Sequence, residues 1–143
     1  VSILRQTYIA SLLDAFRASA ELTALAAVER SVINAMGMTD RAVIVAHRGG
    51  ERISEMMAGP VDRFCELLVT IVTRDAEPDV LADEVMEIAH PIVMALTGPN
   101  LVDVSEADDG TDPPVFAAQD GNLCLCTAHY IIQYRSGRDD LTR

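Results

Sequence analysis

Residues 63–73 (RFCELLVTIVT) are the most constraining stretch of this chain, because they are apolar on both faces of an extended strand. Side chains along a strand alternate with period two. Cys65, Leu67, Val69 and Ile71 therefore share one face, while Phe64, Leu68 and Val72 share the other with Glu66 and Thr70. Two-sided burial belongs to a central strand covered on both sides, or to one covered in an assembly. Residues 42–48 (AVIVAHR) are β-branched and too short for a helix, so they read as a second strand, which Gly49-Gly50 end. A third long strand runs over residues 123–135 (LCLCTAHYIIQYR), entered through the hairpin signal Asp120-Gly121-Asn122. Shorter strands are expected over 101–106 and 115–118.

Two segments have helical spacing. Ile9, Leu12, Leu13 and Phe16 make one amphipathic helix over residues 3–18, with Arg5, Gln6, Asp14 and Arg17 toward water. Pro78 opens the other, with Asp79, Asp83 and Glu84 near its positive end. Leu81, Val85, Ile88, Ile92 and Leu96 form its apolar stripe, and Gly98-Pro99 stop it. Pro91 falls inside that stripe and is expected to kink or split the helix, since it removes one hydrogen bond and crowds the Glu87 carbonyl. Residues 22–33 fit helix or strand, and the reading adopted is a strand over 25–31. Residues 49–60 (GGERISEMMAGP) are expected to form a long mobile hairpin loop, 108–114 (DDGTDPP) a polar loop, and 137–143 a loose tail. The order helix, strands, helix, strands has no strict β-α-β alternation. It predicts a single α+β domain over 1–143: a mostly antiparallel or mixed sheet with two helices on one face.

Composition excludes several classes. Half of the 143 residues are apolar and 23% are charged, as in a globular domain. With aromatics at 4% and no Trp, the core must be aliphatic. The net charge of −11 argues against nucleic-acid or anionic-membrane binding, which need a basic face. No window approaches the ~20 apolar residues of a membrane span, and residues 1–5 lack a basic-then-apolar signal pattern. Three cysteines cannot form a disulfide framework, so a reducing compartment is expected.

The candidate chemistry is sparse. Cys124 and Cys126 share a strand face, but His129 points to the other, so the thiols read as core packing rather than a zinc site. Glu87-x-x-His90 has the spacing of a di-iron pair without the four helices that such a site needs. Asp108, Asp109 and Asp112 cluster without EF-hand spacing and read as a solvated turn or a weak cation site. His47, His90 and His129 sit in no recognisable nucleophile motif, and neither G-x-S-x-G nor a phosphate-binding glycine loop is present. The expectation is a protein without enzymatic activity or cofactor. The rival is a small metal-dependent enzyme using Glu87, His90 and the loop of Asp108, Asp109 and Asp112. Met56-Met57, beside Glu51, Arg52, Ile53 and Glu55, make an adaptable apolar tip on the long loop. These six residues are the candidate subunit or partner interface.

The order of segments is also recognisable. An amphipathic N-terminal helix precedes Val28-Glu29-Arg30 and AVIVAHRGGE. The long loop, RFCELLVTIVTR and a helix opening after Pro78 follow, and the chain closes with an acidic loop, a DGN turn and a strand ending in YRSGRDD. Over nearly its whole length this resembles the tail terminator, or minor tail protein U-like, family of long-tailed bacteriophages and prophages. The resemblance implies a structural protein that forms a hexameric ring, ends tail-tube polymerisation and presents a surface to the head. Its partners would be copies of itself, tail-tube protein and head-completion proteins. It would reside in the bacterial cytoplasm during assembly and then at the head–tail junction of the virion. Another head–tail connector or neck protein shares this logic and differs in partner. A strongly negative ring would repel DNA phosphates, which suits passage over capture.

Overall fold

The computed structural model describes residues 2–54, 59–117 and 123–143. In chain order the elements are α1 (Leu4–Ala18), α2 (Ala20–Leu25), β1 (Ala27–Glu29), α3 (Val32–Gly37), β2 (Ala42–Ile53), β3 (Val61–Arg74), α4 (Pro78–Met94), β4 (Leu101–Thr111), β5 (Val115–Ala117) and β6 (Leu123–Ser136). The fold is α+β. A six-stranded mixed sheet has the order β1-β2-β3-β6-β4, and β5 pairs with the same strand, β6, as β4 does. The β1–β2 pair is parallel and the rest are antiparallel. Among the described residues, no helix is long and apolar enough to cross a membrane.

The two long helices cover one sheet face. Helix α1 does so with its expected stripe. Helix α4 instead turns Leu81, Ala82, Val85, Ala89 and Val93 inward, and leaves Ile88 and Ile92 of its expected stripe, and Leu96 beyond its end, only half-buried. Tyr8, Leu12, Leu13 and Phe16 of α1 and Leu81, Val85, Ala89 and Val93 of α4 are buried there. They meet Cys65, Leu67, Val69 and Ile71 of β3 and Cys124, Cys126, Tyr130, Ile132 and Tyr134 of β6. All three thiols are free and buried, and burial pushes Cys65 up to about 11 and Cys126 up to about 12. Among the described residues, the opposite face of the sheet is covered only at one end. There α3 packs a second cluster of Ala35, Val43, Val45, Val72 and Leu123. Beyond it, Phe64, Glu66, Leu68, His129 and Ile131 are half-buried.

Several expectations need correction. Residues 25–31 are not one strand: helix α2 runs to Leu25, and β1 holds only Ala27–Glu29. Serine caps open the short helices on either side of β1: Ser19 Oγ accepts from the Leu22 N–H at 3.2 Å and Ser31 Oγ from the Asn34 N–H at 3.3 Å. Helix α4 neither splits nor stops at Pro91 but continues to Met94, where packing of Ala89 and Val93 on the sheet outweighs the lost hydrogen bond. Residues 108–111, expected in a loop, belong to β4. The expected loose tail turns back, and Leu141 O accepts from the Leu4 N–H at 2.9 Å.

The largest correction concerns residues 49–60. Strand β2 does not end at Gly49-Gly50 but continues to Ile53. Between Arg48 (opposite Leu67) and Glu51 (opposite Cys65), β2 carries one residue more than β3, which is a β-bulge. The ladder then resumes with Arg52 opposite Phe64. The loop starts only at Ser54, and Glu55, Met56 and Met57 lie outside the described residues.

Gly98 closes the packing above α1. A Cβ built there would lie 2.9 Å from two ring carbons of Tyr8, which is fully buried and donates its hydroxyl to Pro99 O. Gly98→Ala is expected to cost about 1–3 kcal/mol through overpacking, read as a lower thermal midpoint. An unchanged midpoint would show that Tyr8 has room to move.

Candidate functional site

Chemistry-bearing side chains gather at three places, one under α1, one beneath α4 and one on the opposite face. The first is built on the bulge of β2. Simple alternation from Ala42, Ile44 and Ala46 would aim Arg52 at the helices. The extra residue aims Glu51 there instead, opposite Cys65. The Glu51 side chain is 8% exposed. Its Oε2 accepts from Arg5 Nη1 of α1 at 2.9 Å and from Arg63 Nη1 of β3 at 3.5 Å, and its Oε1 accepts from the Tyr134 hydroxyl. Arg63 Nε also donates to Ser136 Oγ at 2.6 Å, and the Tyr8 ring meets Tyr134 edge-on at 5.2 Å. Burial, and then the bond to Glu51, raise the Tyr134 phenol above its usual range.

Of the expected interface residues, Glu51 thus faces inward and ties α1 to β2, β3 and β6. Its neighbours turn outward: Arg52 lies 4.1 Å above the Phe64 ring, and Ile53 is exposed.

The metal-enzyme grouping is not brought together. Glu87 is exposed on α4, beside a groove that it shares with Glu21 and Glu84. His90 instead faces β6 and β4, with Nδ1 2.7 Å from the Tyr130 hydroxyl and Nε2 3.3 Å from Glu106 Oε1. A cavity of about 220 Å³ lies there, lined by Met86, His90, Glu106, Thr111 and Tyr130. Asp109 and Asp112 go elsewhere, to His129.

That third place is where sequence reasoning missed a grouping. His129 of β6 stands opposite Leu68 of β3, which puts Glu66 diagonally beside it on the uncovered face. Strand β4 leaves the ladder after Glu106 (opposite Tyr130) and rejoins it at Thr111 (opposite Ala128). The residues between bulge outward and carry Asp109 over the face, and the Asp112 N–H then donates to Thr127 O at 2.9 Å. His129 Nδ1 lies 3.2 Å from Glu66 Oε1 and 3.9 Å from Asp109 Oδ2, and Nε2 lies 2.9 Å from Asp112 Oδ2. The Asp112 approach is short but off the line of a hydrogen bond, so that contact is chiefly electrostatic. The imidazole is 12% exposed. Its pKa is raised above the ordinary value by the Asp112 carboxylate first, opposed by burial, and raised further by Glu66.

Gly49 makes room for this group. A Cβ there would lie 2.8 Å from Glu66 Oε1 and 3.1 Å from Glu66 Cβ. The bulge of β2 therefore serves both faces, aiming Glu51 inward and seating the Glu66 carboxylate on the outside.

Among the described residues nine large apolar side chains are exposed, and four of them lie on the short elements beside the second core cluster. Ile33 (83% exposed) and Met36 stand out from α3, and Val115 and Phe116 (62% exposed) from β5. Val32, Met38 and Ala117 of the same segments pack on that cluster. No protein-family model matches this chain, and no curated protein matches it at a significant level.

Proposed function

We propose that this chain is a structural subunit that assembles into a closed ring of the tail terminator kind, capping a phage tail tube and presenting a surface to the head. The observation that carries this reading is the exposed apolar side chains on two short elements at one end of the sheet, Ile33 and Met36 of α3 and Val115 and Phe116 of β5. Apolar groups concentrated at one end of a domain mark a contact surface. Next to them, β5 is a three-residue edge strand, able to accept backbone hydrogen bonds from another chain. Such an end, meeting a different surface on the next copy, gives head-to-tail contacts, and these close into a ring when the rotation fits. The resemblance over nearly the whole chain supplies the number six and the tail partners.

The test is native mass by light scattering behind a sizing column, run on the protein alone and after incubation with tail tubes. A closed oligomer of one size, six copies above all, is expected in at least one condition. A monomer in both would overturn the proposal.

A further inference from the structure

We propose that Glu66, Asp109 and His129 bind one divalent transition-metal ion of the zinc class, with Asp112 orienting the imidazole from behind. The donor types fit. One imidazole nitrogen and two carboxylates suit zinc or its neighbours, whereas calcium and magnesium prefer all-oxygen shells. The spacing fits as well. Ligands at zinc distances stand about 3.4 Å apart in a tetrahedral shell. Here Nδ1 and Glu66 Oε1 are 3.2 Å apart, in a hydrogen bond that the ion would replace, Nδ1 and Asp109 Oδ2 are 3.9 Å apart, and the three donors lie within 4.8 Å of one another. Asp109 is exposed on the bulge of β4, and the site requires its side chain to turn toward the ion. A water completes the shell.

Two features separate this group from a chance gathering of acids. The Nε2 atom of His129 has no exposed surface and no aligned hydrogen-bond partner, yet Asp112 Oδ2 lies 2.9 Å from it. That places a carboxylate on the far side of the ring from Nδ1, the side from which outer carboxylates support a metal-bound histidine. Gly49, meanwhile, leaves no more space than the Glu66 carboxylate fills. The charges also balance: two carboxylates offset the ion, and Asp112 faces Nε2 electrostatically. A bound ion would staple β3, β6 and the bulge of β4 together across the open face.

The site lies within one chain, so it stands or falls independently of ring formation. The test is calorimetric titration of the full-length, metal-free protein with zinc chloride, repeated on Asp109→Asn, Glu66→Gln and Asp112→Asn. Cobalt absorption serves as the spectroscopic probe. Asp109 is exposed, so its variant keeps the fold, and circular dichroism checks all three. One ion per chain is expected, with affinity lower by roughly tenfold or more in each variant and little competition from excess magnesium. Failure to bind one equivalent would overturn the proposal, as would wild-type affinity in all three variants or displacement of zinc by magnesium. A thiolate-to-cobalt charge-transfer band would assign the ion to Cys124 and Cys126 and overturn it too.

Discussion

Replacing Glu51 by Ala is expected to lower the unfolding free energy by about 3–5 kcal/mol, the cost of breaking a buried ion pair from one side. For a domain of this size that is a fall of roughly 10–15 °C in thermal midpoint. The substitution leaves the guanidinium groups of Arg5 and Arg63 facing each other, and removes the acceptor of the Tyr134 hydroxyl. Their side chains are 21% and 14% exposed, so water relieves part of the strain and the lower end of the range is expected. Two further variants sharpen the result. Glu51→Gln still accepts from Tyr134 and should fall between Ala and wild type. Replacing Glu51, Arg5 and Arg63 together by Met should recover most of the loss, because no charge is then stranded. Urea unfolding measures all three. A change within about 0.5 kcal/mol for Glu51→Ala, as at an ordinary surface position, would return Glu51 to the exposed interface that its loop-like sequence suggested.

The second large effect is expected at Phe16. Its ring is fully buried between α1 and the sheet, so Phe16→Ala should cost about 3–5 kcal/mol, from lost transfer energy plus the cavity left behind. Phe116→Ala removes the same atoms from a site that is 62% exposed, and should change monomer stability by no more than about 0.5 kcal/mol. Denaturant midpoints at an unchanged slope would separate the two variants. The same pair probes assembly. If the β5 end is a subunit contact, Phe116→Ala should shift native mass toward the monomer while leaving the fold intact. Equal losses of stability in both variants would show that Phe116 is not the exposed side chain described here.

Much of the architecture was legible because local periodicity carries it. Alternation groups Cys65, Leu67, Val69 and Ile71 on one face of β3, which the structure shows to be the face the helices cover. The buried face of α1 follows from its stripe, whereas α4 is rotated so that Ala89 and Val93 replace Ile88 and Ile92. The opposite face is less covered than the sequence suggested, because α3 reaches only Val43, Val45, Val72 and Leu123. The error over residues 49–60 has a definite cause. Gly-Gly ends a strand in most settings, but here it makes a bulge, and a bulge can be distinguished from a turn only when the partner strand is known.

The candidate sites divide along the same line. His129 was placed correctly on the face opposite Cys124 and Cys126, since that needs only period two. Its carboxylate neighbours could not be named, because Glu66 is 63 residues away along the chain, and the β3–β6 register sets their approach. Glu87 and His90 looked paired because three residues separate neighbours on a helix. Packing then turned His90 to Tyr130 and Glu106 and left Glu87 in solvent. The sequence alone determined the existence of the three long strands and the two long helices, the buried face of α1 and the acidic, aliphatic character of the domain, all through interactions spanning a few residues. Only the tertiary structure decided the inward turn of Glu51, the meeting of Glu66, Asp109 and Asp112 at His129, and the exposure of Phe116. Each of these depends on strand register and on which surfaces the helices leave uncovered, and both are fixed by contacts between distant parts of the chain.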